Sequence, residues 1–318
     1  MQKFTEILPE NQHTAVALGF FDGLHTGHRK VISLAVSEKQ NGLLPVCFTF
    51  AQSPKSILLG TAANALMTED DKKKTLGQLG IEHMIEADFL SVKDMPAKDF
   101  FEEILLGRLK AKKLFCGFNY RFGKNGEGNP QMLESLCRQH GLELKVVPPA
   151  KSQGKVVSST LIRTLIQSGD ISYANRLLCS RFGFSSTIEY GKQLGRRIGT
   201  PTINQPLCKE LVVPKFGVYA TAVTLENGST YCGVTNIGIK PTVGGTVPLC
   251  ESWMPEYKGD EIYGQTADVR LIDFIRDEKK FESIEKLKKA IADNGKTALR
   301  IYENALQHPT EQFSNTNT

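Results

Sequence analysis

The chain has no run of about 18 consecutive apolar residues, so no segment of it reads as a bilayer-spanning helix. Cys-x-x-Cys spacing is also missing. The seven cysteines, at positions 47, 116, 137, 179, 208, 232 and 250, are odd in number and scattered, which sets aside a disulfide framework and a cysteine zinc site in favour of reduced thiols in a cytosolic protein. Charge of one sign is scarce, since 39 Lys and Arg against 34 Asp and Glu leave a formal charge of only +5. The lysines are dispersed, and Lys72-Lys-Lys74 and Lys286-Leu-Lys-Lys289 read as solvated helix faces rather than a stripe that tracks phosphates. Nucleic acid stays possible on that charge alone, and an anionic small substrate suits the balance as well. Internal repeats and low-complexity tracts are lacking, and Met1-Gln-Lys-Phe-Thr-Glu has no signal-peptide core. The expectation is a cytoplasmic protein, monomeric or weakly homo-oligomeric, with neither nucleic acid nor membrane as partner.

What is present is an ordinary globular composition, 40% hydrophobic and 23% charged, in 318 residues, a length of about two domains. The first half alternates strand and helix signals. Apolar runs at 14–18 and 44–50 predict buried strands, 113–116 and 143–147 predict two further strands, and 68–79, 97–106 and 131–138 predict helices between them. That rhythm implies a parallel sheet covered by helices on both faces, with ligands at the carboxyl ends of the strands. Past Arg181 the period changes. Short alternating runs at 182–190, 217–225 and 267–274, with an Asn227-Gly228 hairpin signal, predict an antiparallel sheet or small barrel closed by a helix at 283–292. The expected domains are therefore 1–180 and 181–306, followed by a disordered polar tail over 307–318.

The most informative segment is Leu18-Gly-Phe-Phe-Asp-Gly-Leu-His-Thr-Gly-His-Arg29, where the first strand gives way to a helix. Glycine lets the backbone turn tightly and come close to a triphosphate, and the helix start offers unpaired N–H groups. His25 and His28, three residues apart, would stand over that cradle as donors to phosphate oxygens that gain charge as pyrophosphate leaves. A zinc pair, or two surface histidines beside an ordinary helix start, is the alternative for a lone His-x-x-His. The stretch Cys116-Gly-Phe-Asn-Tyr-Arg-Phe-Gly123 leaves a strand for a glycine-rich loop, which places Asn119 and Arg121 at the ligand edge unless the loop is merely structural. Val157-Ser-Ser-Thr-Leu-Ile-Arg163 begins a helix at Ser158 or Ser159, whose hydroxyls either cap it or also bind phosphate.

In order along the chain, Gly19-Phe-Phe-Asp-Gly-Leu-His-Thr-Gly-His28, Gly117-Phe-Asn-Tyr-Arg-Phe-Gly123, Ser158-Ser-Thr-Leu-Ile-Arg163, Gly195-Arg-Arg-Ile-Gly-Thr-Pro-Thr-Ile-Asn204, Gly217-Val-Tyr-Ala220, Asn236-Ile-Gly-Ile-Lys-Pro-Thr242, Glu251 and Asp260-Glu-Ile-Tyr-Gly264 make the chain similar to the prokaryotic bifunctional riboflavin kinase/FMN adenylyltransferases, also called FAD synthetases. The likeness runs from about residue 14 to about residue 293. It implies a Rossmann-like α/β nucleotidylyltransferase domain with a parallel sheet, followed by an antiparallel β-barrel riboflavin kinase domain. It implies ATP-dependent conversion of riboflavin to FMN and of FMN to FAD, with Mg²⁺ as cofactor.

By the same resemblance His25 and His28 serve adenylyl transfer, and Gly19, Phe20, Asp22, Gly23, Asn119, Arg121, Ser158, Ser159, Thr160 and Arg163 contact the nucleotide or FMN. In the kinase Glu251 is the general base, Thr202 and Asn204 hold Mg²⁺, and Gly191, Gly195, Gly199 and Asn236 line the substrates. The chain departs from the family in three places. Thr49-Phe-Ala-Gln-Ser-Pro54 stands where Pro-His-Pro is common, Thr200 replaces an aromatic residue, and Trp253 with Pro255 alters the segment after Glu251. Two other readings stay open: an enzyme retaining one activity, and a non-catalytic flavin or nucleotide sensor.

Overall fold

Alternating strands and helices build the first half of the chain. The structure, a computed structural model, describes residues 8, 9, 11–61, 64–191, 199–242 and 245–307, with only the backbone for 240–242 and 245–247. The expected tail falls almost wholly outside these residues. In chain order the elements are β1 (Thr14–Leu18), α1 (Thr26–Ser37), β2 (Leu44–Phe50), α2 (Pro54–Leu59), α3 (Glu69–Gln78), β3 (His83–Ala87), α4 (Phe89–Val92) and α5 (Ala97–Asp99), which runs on as a π-helical stretch, Phe100–Arg108. Then come β4 (Ala111–Gly117), α6 (Pro130–His140), β5 (Glu143–Val147) and a two-residue hairpin of β6 (Lys151–Ser152) and β7 (Lys155–Val156). Helix ends follow local chemistry. Thr68 caps α3 by accepting from the Asp71 amide, with Glu69, Asp70 and Asp71 in the first turn, and Asn129 caps α6 ahead of Pro130.

The strands pair in parallel in the order β3-β2-β1-β4-β5. β3 is a strand that the sequence reading passes over, because His83-Met-Ile-Glu-Ala87 is short and mixes polar with apolar residues at the sheet edge; the 113–116 run is therefore the fourth strand and not the third. Val16, Leu18, Val46, Phe48, Leu114 and Cys116 pack with Phe100, Phe101 and Leu133 into one core. The chain winds outward from β1 through β2 and β3, then returns to β4 on the other side. The order reverses between β1 and β4, and the crevice beyond their carboxyl ends is where such sheets take ligands.

The second half begins with two helices, α7 (Ser159–Ser168) and α8 (Ile171–Leu178). Six antiparallel strands follow: β8 (Gly183–Thr187), β9 (Thr202–Pro206), β10 (Gly217–Leu225), β11 (Thr230–Thr242), β12 (Gly245–Trp253) and β13 (Thr266–Arg276). Their order is β8-β13-β10-β11-β12-β9. Gln205 Nε2 donates to Ser186 O at 2.8 Å and Ser186 Oγ to Pro206 O at 3.1 Å, so the two outer strands meet and the sheet is a nearly closed barrel. The β10–β11 turn carries Gly228 at φ 82°, the left-handed geometry that the Asn-Gly pair predicts.

A closing helix, α9 (Ile284–Gln307), lays Ala298 and Ala305 on Val218, Ala220, Ala222 and Val234. It is longer than the 283–292 expected and runs on through Asn294-Gly295, which is a packing site. Asn294 is buried and its Oδ1 accepts from Arg276 Nε at 3.1 Å, while a Cβ on Gly295 would stand 3.0 Å from the Trp253 ring. The compact units divide between Ser159 and Thr160, and Asn64–Met67 join the second through an Ala65–Leu211 bridge. All seven cysteines are reduced, and Cys47, Cys116, Cys137, Cys232 and Cys250 are buried.

Candidate active site

In the first unit the β1–α1 turn is held in an unusual backbone. Phe21, Gly23 and Leu24 all have positive φ, at 55°, 81° and 42°. Two non-glycine residues in that region are strain of the kind that gathers at functional sites. The Phe21 ring folds back over Gly19, where a Cβ would stand 3.0 Å from it. Asp22 is buried and its main-chain oxygen accepts from Ser159 Oγ at 3.0 Å.

The two histidines are brought together by the helix start. His25 is the N-cap of α1, and its Nδ1 accepts from the His28 amide at 3.3 Å. The rings stack, with centroids 3.6 Å apart at 17°, and Phe21 meets the His28 ring edge-on at 5.4 Å. Burial pushes His25 down to about 4. Burial, then the neighbouring His25 and the Lys72 ammonium, hold His28 well below its ordinary value. Both are neutral at physiological pH, and because His25 Nδ1 accepts, the His25 proton sits on Nε2 as a donor. His28 Nδ1 is buried without a hydrogen-bond partner.

Asn119 and Arg121 lie just past β4, on the other side of the switch point, both exposed, with Asn119 Oδ1 against Gly117. Ser158 and Ser159 are partly buried at the start of α7, Thr160 is exposed, and Arg163 Nε donates to Asn64 O at 2.6 Å. One expectation is corrected here. Lys72 is not on a solvated face: it is only 6% exposed, with Nζ 3.4 Å from Thr49 Oγ1 and 3.5 Å from Phe50 O, above the Phe20 ring at 4.9 Å. Its position, four residues after the Thr68 cap, turns it inward while Lys73 and Lys74 stay outside. A lysine inside a lysine run gives no sequence signal of burial.

In the barrel the register lines up three of the expected residues. Asn236 on β11 pairs with Glu251 on β12, and Glu251 pairs with Asn204 on β9. Directly opposed residues share a face, so the three side chains form a row, about 10 Å from end to end over two strand spacings, with the carboxylate in the middle. Thr202 lies on the same face, two residues before Asn204 and opposite Trp253. The other face carries a chain of hydroxyls, Thr221 to Thr235 to Ser252 at 2.8 Å each, fully buried inside the barrel. Asn204 is 6% exposed because Gly191 covers it: a Cβ there would come within 2.3 Å of Asn204 Nδ2.

Gly199 has φ 83° with open space beside it, and Gly195 lies outside the described residues. Glu278 is a carboxylate that sequence reasoning missed. Its Oε1 accepts from Asn236 Nδ2 at 3.3 Å and lies against Gly238, beyond any motif. A hydroxyl, a side-chain amide oxygen and a carboxylate on one face make a set of hard oxygen donors that suits a divalent cation such as Mg²⁺.

Comparison with known proteins follows the same division. A family model for FAD synthetase matches residues 7–161, and one for riboflavin kinase matches residues 178–302. The bifunctional riboflavin kinase/FMN adenylyltransferase of Bacillus subtilis is 33% identical over 306 residues, covering 94% of this chain and 95% of the relative. That of Haemophilus influenzae is 32% identical over 294 residues, covering 92% and 95%. Among solved structures, that of a macrolide-efflux protein from Streptococcus pneumoniae superposes with a TM-score of 0.82 at 26% identity, covering 91% of this chain and 95% of that one. Among the described residues of this chain, no helix is long and apolar enough to cross a membrane.

Proposed function

The chain belongs to the bifunctional riboflavin kinase/FMN adenylyltransferase family, and from that premise we propose that its barrel phosphorylates riboflavin to FMN and that its parallel-sheet domain adenylylates FMN to FAD with release of pyrophosphate. Residues 1–180 carry the second reaction and 181–306 the first, although the compact unit that contains the barrel begins at Thr160. The observation that carries the reading is the Asn204–Glu251–Asn236 row, which sets one carboxylate between two amides in a chain that also stacks two neutral imidazoles at a switch point.

In the barrel Glu251 is the base that takes the proton of the ribityl hydroxyl, since phosphoryl transfer asks mainly for positioning and one oxygen base. Thr202 and Asn204 would hold Mg²⁺, which when bound neutralises phosphate charge. Gly191, Gly195, Gly199 and Asn236 line the substrates. Gly191 fixes Asn204 by its lack of a side chain.

In the first domain a phosphate oxygen of FMN attacks the α-phosphorus of ATP, and pyrophosphate leaves with no covalent enzyme intermediate. His25 and His28 act as preorganised neutral donors to the charge that develops. Gly19, Phe20, Asp22 and Gly23 form the cradle, and Asn119, Arg121, Ser158 and Ser159 complete the contacts to nucleotide and FMN. ATP, riboflavin and FMN are the small-molecule partners of a cytoplasmic enzyme, monomeric or weakly oligomeric. Incubation with riboflavin and MgATP, followed by chromatography, tests this. FMN should rise first and FAD follow. FMN alone would mean that one activity survives, and flavin binding without turnover would mean a sensor.

A further inference from the structure

A buried ammonium needs a reason. Lys72 reaches the carboxyl edge of β2, where both of its hydrogen-bond acceptors, Thr49 Oγ1 and Phe50 O, are neutral and distant at 3.4 and 3.5 Å. Thr49 Oγ1 is already committed as donor to Phe20 O at 2.9 Å, and the Phe20 ring lies under the ammonium at 4.9 Å. An aromatic face offsets only part of the hydration that a buried ion loses. The carboxyl that feels Lys72 is Glu86 on β3. Burial and the hydrogen-bonded Glu69 carboxyl raise it to about 7, so near neutrality it carries only part of a negative charge. Among the described residues the positive charge of Lys72 is thus incompletely matched.

It is matched in position, however, to the imidazoles. Lys72 is close enough to His28 to oppose its protonation, and the buried His28 Nδ1 has no partner. A cation and an unpartnered imidazole nitrogen beside the β1–α1 turn form a site that an anion would complete. Resting on the adenylyl-transfer reading of this domain, we propose that Lys72 is the cationic anchor of the site and binds the β- and γ-phosphates of ATP that depart as pyrophosphate. In the reaction an oxygen of the FMN phosphate forms a bond to the α-phosphorus, and the bond from that phosphorus to the α–β bridging oxygen breaks. The electron pair stays on the bridging oxygen, so the leaving group gains one negative charge, next to Lys72. FMN and ATP give FAD and pyrophosphate with nothing left over.

The test uses the full-length enzyme and its Lys72→Met and Lys72→Arg variants, supplied with FMN and ATP. Loss of a charged hydrogen-bonding partner predicts a fall in kcat/KM for ATP of about 10- to 100-fold in Lys72→Met. Inhibition by added inorganic pyrophosphate should weaken by a similar factor, and Lys72→Arg should recover most of both. The thermal unfolding transition of the first unit, followed in the same full-length preparations, reports whether the domain that carries Lys72 is folded; if the Met variant is not, Lys72→Gln takes its place. FAD synthesis within about threefold of wild type overturns the proposal. So does a loss of rate with pyrophosphate inhibition unchanged, which would make Lys72 a prop for the Phe20 turn. If the wild type itself makes no FAD, the adenylyl-transfer reading fails, and equilibrium binding of pyrophosphate to wild type and Lys72→Met then decides the anchor alone, equal affinities overturning it.

Discussion

The side-chain amide of Asn175 donates to the main-chain oxygen of Leu271 at 2.9 Å, tying α8 to the middle of barrel strand β13. The same side chain accepts from the Phe182 amide at 2.8 Å, and all of it is buried. The barrel therefore begins structurally before its first strand. A fragment over 160–318 should fold and phosphorylate riboflavin without making FAD. One starting at 182 loses Asn175 and should melt several degrees lower. Asn175→Ala in the longer fragment leaves buried partners unpaired and should cost about 2–4 kcal/mol in chemical denaturation. Equal stability of the two fragments would show that α7 and α8 are dispensable.

Much of this was legible in the sequence where one signal decided the outcome. The run 44–50 is strand β2 because it is apolar throughout, and 217–225 is strand β10 because both flanks turn. The histidine pair was legible because its glycines and its helix start are local. What escaped depends on distant partners. Lys72 looks like any surface lysine until β2 supplies Thr49 and Phe50, and Glu278 belongs to no motif until Gly238 makes room for it. The Asn204–Glu251–Asn236 row could not be read either, since register across three strands is set by pairings tens of residues apart.

His28→Ala removes a donor stacked on His25 and leaves the N-cap in place. FAD formation from FMN should fall by about 10²-fold or more, the scale of one transition-state donor. FMN formation from riboflavin should continue. Near-normal FAD synthesis would remove His28 from the mechanism.

Two groups of the first unit have opposite linkage to pH. His25 is held down to about 4 from 6.5, so between those values the unfolded chain binds the extra proton and stability is lost as pH falls. Glu86 is raised to about 7 from 4.5, so the folded chain binds the extra proton and stability grows as pH falls through that window. Glu86→Gln deletes the second effect alone. The variant should melt above wild type at about pH 8, the gap closing by about pH 5, and its own loss of stability between 6.5 and 4 should be the steeper. A gap independent of pH would show that Glu86 is ionised throughout.

Gly191→Ala places a methyl group 2.3 Å from Asn204 Nδ2, too close for either to stay. Asn204 must rotate away from the row it shares with Glu251. Riboflavin phosphorylation should drop by at least about tenfold and its Mg²⁺ requirement should rise, while adenylylation of supplied FMN is untouched. An unchanged Mg²⁺ titration would mean that Asn204 does not hold the metal.

Glu251 stands between Asn204 and Asn236 on the outward face of the barrel, the only carboxylate in that row. A base that accepts the hydroxyl proton contributes about 10²–10⁴ in rate, whereas a carboxylate that only fills space there contributes almost nothing. Glu251→Gln keeps the size, the strand register and one carbonyl oxygen, and loses the basicity. Its kcat for riboflavin phosphorylation should collapse by that factor with little change in flavin or ATP affinity. Supplied FMN should still become FAD, because His25 and His28 lie in the other unit. Phosphorylation within a few-fold of wild type would hand the role to another group, and Glu278, 3.3 Å from Asn236 Nδ2, is the carboxylate already touching the same row.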